Sequence, residues 1–140
     1  MVWPELKFEP QAIDPRGTPR APDAIGFERE VYDFYRSAIA LRKKQAALRR
    51  GDFRVAGNFD DEQVFAFQRR LGMENLLVVL NRSEQPREVR IALAAVDSAK
   101  FAGAKVIFST DSHPQNTTLR FASGTLTVKI PALTGAVIAP

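Results

Sequence analysis

Paired carboxyl groups can work as general acid and general base, one protonating a leaving oxygen and the other attacking or activating water. Two places in the chain bring acids together: Glu5 with Glu9, and the run Asp60-Asp61-Glu62. The first pair lies in proline-broken sequence and the second in a turn between apolar runs, where solvated acids are the norm. Both are read as surface charge. Ser109, Asp111, Ser112 and His113 hold the residue types of a hydrolase triad, but a triad needs its groups to converge in ordered geometry beside an oxyanion site. Crowding them into one loop works against that, so His113, before Pro114, is read as a turn residue. As the single histidine of the chain it cannot supply an ordinary zinc site. Asn116-Thr117-Thr118 fits the glycosylation acceptor pattern, a short pattern that is common by chance. Trp3, Tyr32 and Tyr35 offer flat apolar rings to the C–H face of a sugar. Tyr35 flanks a helical apolar stripe and is assigned to packing; of the three, Trp3 is kept as the sugar-contact candidate, beside its reading as a loop residue anchored by packing.

The elements that must position these groups fall into three stretches. Pro4, Pro10, Pro15, Pro19 and Pro22 with Gly17 forbid regular structure in residues 1–22, which are expected to form an irregular, extended loop. From Asp23 to Arg50, Phe27, Val31, Phe34, Ala38, Leu41 and Leu48 recur at helical spacing. That spacing predicts one long amphipathic helix with Tyr35 and Ile39 beside its apolar stripe. Gly51 is expected to end it in the left-handed conformation, and the cations Arg42, Lys43, Lys44, Arg49 and Arg50 meet the negative end of its dipole.

After Gly51 short runs rich in Val, Ile, Phe, Leu and Thr alternate with turn residues, which predicts strands at 53–56, 63–70, 74–81, 87–93, 105–109, 118–122, 125–130 and 136–139. Ser123-Gly124 between two of them signals a tight hairpin. The run Leu76-Leu77-Val78-Val79-Leu80 predicts a central strand covered on both faces. The expected fold is mainly β: an antiparallel β-sandwich of about eight strands with Greek-key-like connections, preceded by the loop and the helix.

Composition narrows the function classes. Apolar residues at 45% and charged residues at 26% are ordinary for a globular domain, and the absence of cysteine leaves packing alone to hold the fold. A net charge of +4 invites a nucleic-acid reading, but the cations gather at a helix end and no recognition motif accompanies them. No nucleic-acid or membrane partner is expected. Met1-Val2-Trp3-Pro4-Glu5 carries no basic region followed by a long apolar stretch, so no signal peptide is visible, and the compartment stays open between bacterial cytoplasm and secretion.

Three motifs stand in one order: Tyr35-Arg36-Ser37-Ala38-Ile39-Ala40-Leu41-Arg42, then Ala47-Leu48-Arg49-Arg50-Gly51-Asp52-Phe53, then Leu76-Leu77-Val78-Val79-Leu80-Asn81-Arg82-Ser83. Together they resemble the closing section of α-amylase-superfamily glycoside hydrolases of the neopullulanase and cyclomaltodextrinase group. There the first two motifs lie on the eighth barrel helix and the third in the β-sandwich called domain C. The family often places proline before the Ala-Leu pair. Here Gln45-Ala46 stand there, which predicts a longer helix.

The resemblance implies that residues 1–22 are the loop from the end of the catalytic barrel, 23–50 the last barrel helix and 51–140 domain C. It also implies a non-catalytic piece that stabilises a barrel acting on starch, maltodextrin, pullulan or cyclodextrin. The catalytic carboxylates of that family lie upstream, so no catalytic, cofactor-binding or metal residue is assigned, and no cofactor is expected. The implied partner is the parent's barrel, met by the face bearing Phe27, Val31, Phe34, Ala38 and Leu41, with α-glucan contacted only through the parent. Alone, the piece is expected to pair through that face as a homodimer or to fold its N-terminal loop onto the helix. Two other readings stand beside this one: a carbohydrate-binding module for α-glucans, and a free-standing β-sandwich interaction protein.

Overall fold

The computed structural model describes Glu5, residues 9–22 and residues 26–140, with Ala95 and Val96 described by backbone alone. The chain divides into two compact units, Met1–Ser37 and Ala38–Pro140.

In the first unit residues 9–22 of the proline-rich stretch are irregular apart from a small turn. Asp14 Oδ1 accepts the N–H groups of Arg16 at 2.8 Å and Thr18 at 2.7 Å, and Ile13 bridges Pro19. A short polar side chain satisfying the backbone two and four residues on is how aspartate holds such turns. Helix α1 begins at Arg29 and runs Arg29–Lys44 across the unit boundary. Asp23, the first residue of the predicted helical stretch, lies outside the described residues, while Gly26, Phe27 and Glu28 are not helical.

The single long helix predicted from the periodicity is two. Gln45 is extended at φ −95°, ψ 104°, and α2 (Ala46–Arg50) follows it. The longer helix expected without the family's proline is therefore corrected: the break is made without that ring. Its cause is tertiary, since Ala47 is seated on the sheet at 0% exposure with both backbone groups bound by strand side chains. Gly51 also departs from expectation. It is extended, at φ −70°, ψ 155°. Glycine is required there for space: a Cβ would stand 2.6 Å from the carbonyl oxygen of Ala47 and 2.7 Å from that of Arg70.

The eight strands are β1 (Asp52–Phe59), β2 (Val64–Leu71), β3 (Glu74–Asn81), β4 (Arg87–Ala92), β5 (Lys105–Ser109), β6 (Thr118–Ala122), β7 (Thr125–Ile130) and β8 (Gly135–Ala139). They form a five-stranded sheet in the order β1-β2-β3-β8-β5 and a three-stranded sheet in the order β4-β7-β6, with every pairing antiparallel. Since β3 pairs with β8 and β4 with β7, the two chain segments cross between sheets side by side, the Greek-key-like feature expected. The Ser123-Gly124 hairpin forms as predicted, with φ of 48° and 77°, the positive values that match strand twist in a two-residue turn. A short helix α3 (Ala95–Ser98) and a 3-10 turn at Lys100–Gly103 lie between β4 and β5, and a second 3-10 turn spans Pro114–Asn116; none of these was anticipated.

Between the sheets, Val64, Ala66, Leu77, Val79, Val89, Ile91, Phe101, Leu126, Val128, Ile130, Ala136 and Ile138 form the main core. On the other side of the larger sheet a second cluster joins Ala47, Leu76, Val78 and Val137, with Leu41, Leu48 and Phe108 packed on it. Strand β3 is thus covered on both faces except at Leu80, which is 42% exposed.

Candidate functional site

The loop after β5 does bring Ser112, His113 and Asp111 together. Ser112 Oγ lies 2.9 Å from His113 Nδ1, and Asp111 Oδ1 is 3.8 Å from the same nitrogen. A serine–histidine–aspartate relay needs the hydroxyl on one ring nitrogen and the carboxylate on the other. Here both address Nδ1, so this arrangement cannot activate the serine. What it does is hold a turn. Asp111 Oδ1 accepts the backbone N–H of His113 at 2.8 Å, its other oxygen accepts the Asn116 amide at 3.3 Å, and its own N–H donates to Ser109 Oγ at 3.1 Å. The His113 backbone N–H first, and the Asn116 amide second, hold the Asp111 carboxyl below its ordinary value.

The carboxylate pairs are surface groups. Glu5, Glu9, Asp60 and Asp61 are exposed and Glu62 is half-buried, with Asn58 Nδ2 donating to Asp60 Oδ2 at 3.2 Å. Among the described residues no group of three or more His, Cys, Asp or Glu could hold a metal ion. Trp3 lies outside the described residues. Tyr32 is half-buried against Phe27, ring centroids 5.3 Å apart, and Tyr35 stands edge-on to Phe34 at 5.6 Å. Of the apolar helical face, Phe27 and Ala38 are half-buried, Leu41 joins the second cluster, and Val31 and Phe34 are 45% and 38% exposed.

Sequence reasoning missed the polar groups that carry the architecture. Glu74, at the start of β3, accepts the N–H of Ala47 at 2.7 Å, and Arg69 Nε donates to the Ala47 carbonyl at 3.2 Å. The carboxylate satisfies an otherwise unpaired donor at the N-terminus of α2, and the guanidinium meets the helix on its other backbone group. Both side chains come from the β2–β3 hairpin.

Asn81, 3% exposed, is a second hub. Its Nδ2 donates to the carbonyls of Gln85 at 2.9 Å and Pro131 at 2.7 Å, while its Oδ1 accepts the N–H of Ser83 at 2.9 Å. Ser83 Oγ in turn accepts from Gln85 N–H at 3.0 Å and Arg87 Nε at 3.1 Å. The Asn-Arg-Ser spacing noted in the sequence therefore has a mechanical role: it ties the β3–β4 crossing to the β7–β8 crossing. A third polar site sits inside the sandwich, where Asp97, at 0% exposure, lies 3.5 Å from Arg70 Nη1. Among the described residues no helix is long and apolar enough to cross a membrane.

No family model matches the chain. A cyclomaltodextrinase from Geobacillus thermopakistaniensis is 31% identical over 67 residues, 48% of this chain and 11% of that protein. A glucan 1,6-alpha-glucosidase from Streptococcus dysgalactiae subsp. equisimilis is 32% identical over 87 residues, 62% of this chain and 14% of that protein. The chain thus spans 11% and 14% of the length of these curated relatives. Among solved structures, a debranching enzyme from Nostoc punctiforme superposes with a TM-score of 0.65 at 21% identity, over 89% of this chain and 26% of that one.

Proposed function

We propose that this chain, similar in sequence and fold to a segment of α-amylase-family enzymes, is the non-catalytic closing piece of such an enzyme. In this reading residues 1–22 lead out of the catalytic barrel, 23–50 supply its last helix and 51–140 are the sandwich that stabilises it. The parent hydrolyses an α-glucan such as starch, maltodextrin, pullulan or cyclodextrin. The observation that carries the reading is the seating of α2 on the larger sheet through Ala47, Glu74 and Arg69. A sandwich that grips a helical segment by both backbone groups is built to fix that segment in place, which is what a supporting domain must do. The stripe of Val31 and Phe34, left exposed, is the part of the helix that meets the barrel. Without the barrel, the same stripe draws two copies into a dimer.

The loop chemistry agrees with a supporting role, because the Ser112, His113 and Asp111 arrangement builds a turn. The test is an assay of the purified chain on maltodextrin, pullulan and cyclodextrin, combined with titration by maltooligosaccharides. No release of reducing sugar and no saturable shift are expected. Release that persists after Glu5 and Glu9 are replaced would overturn the assignment, and saturable shifts lost in Trp3→Ala would make the chain a carbohydrate-binding module.

A further inference from the structure

The outer face of the three-stranded sheet carries three cations, Arg90, Arg120 and Lys129, against the single carboxylate of Glu88. Register places Arg90 on β4 opposite Thr127 on β7, and Thr127 opposite Arg120 on β6, so two arginines flank one threonine in a single row across the sheet. Both are exposed, and neither side chain carries a hydrogen bond or an ion pair among the described residues. In the adjacent row Glu88 lies opposite Lys129, a pair of opposite sign, with Thr118 on the far side. On the other side of the arginine row the groove wall is low, formed by Thr125 and Ala122. The result is a groove of about 500 Å³ walled by guanidinium groups.

A solvated sheet face has no need of this pattern. Cross-strand pairing on a solvated face normally sets opposite charges against each other, as Glu88 and Lys129 are set, whereas Arg90 and Arg120 have only Thr127 between them. The arginine row lacks its acid. Neighbouring strands lie about 4.8 Å apart, so the two Cα atoms are separated by roughly 10 Å across β7. That span lets two long side chains converge over Thr127 on a single tetrahedral anion. Arginine suits such an anion because its planar fork donates two parallel hydrogen bonds to phosphate oxygens, and the threonine hydroxyl adds a third donor.

The rest of the groove selects the group attached to that anion. It is lined by the Glu88 carboxylate, the Lys129 ammonium and the hydroxyls of Thr118 and Thr125, of which the carboxylate and the hydroxyls are partners for alcohol groups. Among the described residues no aromatic ring lines it, so a nucleotide base would find no stacking surface there. We propose that this face is a binding site for a phosphorylated sugar, its phosphate held between Arg90 and Arg120 over Thr127 and its hydroxyls turned toward Glu88 and Thr118. The site lies on the opposite sheet from α2, so it is independent of the reading of the chain as a supporting segment. Its failure would leave that reading standing.

The experiment titrates the 15N-labelled chain with glucose 6-phosphate, inorganic phosphate and glucose at low salt, following backbone amides by NMR. Glucose 6-phosphate is expected to give saturable shifts centred on Thr118 and Thr127 and to bind more tightly than inorganic phosphate, with no shifts from glucose. Arg90→Gln and Arg120→Gln should each weaken binding about tenfold or more, since each removes a charge-assisted pair of hydrogen bonds. Arg54→Gln, on exposed β1 of the other sheet, should leave it unchanged. Equal loss in Arg54→Gln would show diffuse charge attraction and overturn the site. Absence of saturable shifts, or binding that survives both groove variants, would do the same. Equal affinity for inorganic phosphate would overturn the assignment of a sugar.

Discussion

Glu74 and Ala47, 27 positions apart in the chain, are joined by a hydrogen bond of 2.7 Å from the Ala47 N–H to Oε2 of the glutamate. The strand thereby caps the helix. Capping oxygens on neighbouring residues contribute about 1 kcal/mol, and this one acts at a site where Ala47 is fully buried. Glu74→Ala should therefore destabilise the chain by about 1 to 2 kcal/mol. Hydrogen exchange at the Ala47 amide should accelerate more than exchange in the β4-β7-β6 sheet; equal acceleration everywhere would count against a local cap.

This relationship marks where sequence reasoning stopped. Strand existence was legible because apolar and turn residues alternate sharply: the predicted runs at 74–81, 105–109, 118–122 and 125–130 have the bounds observed for β3, β5, β6 and β7. The helix break at Gln45 was not legible. Its periodicity continues through Leu48, and the forces that interrupt it come from Glu74 and Arg69, side chains whose local sequence says only that they are charged. Gly51 ends the helix through space and not through a left-handed backbone, and a close approach by the Arg70 carbonyl leaves no trace near residue 51 in the sequence. The same holds for Asp97, whose burial depends on the packing of the segment between β4 and β5. Arg90 and Arg120 lie in separate predicted strands, and only the pairing of both with β7 puts them in one row.

Asn81 satisfies two carbonyls and one N–H with a single buried side chain. Asn81→Ala leaves those groups without their partner in a part-buried site. Each such orphan costs about 1 to 3 kcal/mol, and incomplete relaxation keeps the sum below the full total. A loss of about 3 kcal/mol is expected in urea unfolding. Asn81→Asp, which keeps the acceptor and loses the donor, should also destabilise; full stability in both variants would remove the hub.

Asp97 and Arg70 form a pair in which the carboxylate is fully buried and the guanidinium is one-third exposed. Arg70→Met keeps much of the packing volume and strands the carboxylate, and breaking a buried pair in this way costs about 3 kcal/mol or more. The double variant Arg70→Met with Asp97→Leu should recover part of that loss, because no uncompensated charge remains. Thermal unfolding of the two single variants and the double variant reads the coupling directly.

Asp111 gives a pH dependence of definite sign. Its carboxyl is held below the ordinary value of 3.8, first by the backbone N–H of His113 and then by the Asn116 amide. A group depressed on folding contributes stability above its unfolded value and loses that contribution as pH falls through the folded one. The contribution should be present from about pH 5 upward and fade in the acid range below the ordinary aspartate value. Carbon-detected NMR titration should place the Asp111 midpoint below that of an unstructured aspartate. Asn116→Ala should raise it only part of the way, since the His113 N–H remains.

The apolar stripe of α1 sets the last expectation. Val31 is 45% exposed, Phe34 38% and Ile39 52%, and α1 contributes no buried residue. Covering one such side chain fully is worth about 1.5 to 3 kcal/mol, so several together offset much of the entropy lost on association. A two-fold arrangement using the same stripe on both copies closes without leaving a free interface. The chain should then dimerise at high concentration, and Phe34→Asp should shift it toward monomer by placing a charge in the contact. Light scattering over a concentration series reads the change, with hydrogen exchange along 29–44 reporting whether the stripe is covered. A chain that stays monomeric at every concentration with rapid exchange along that helix would show that the stripe does not pair two copies.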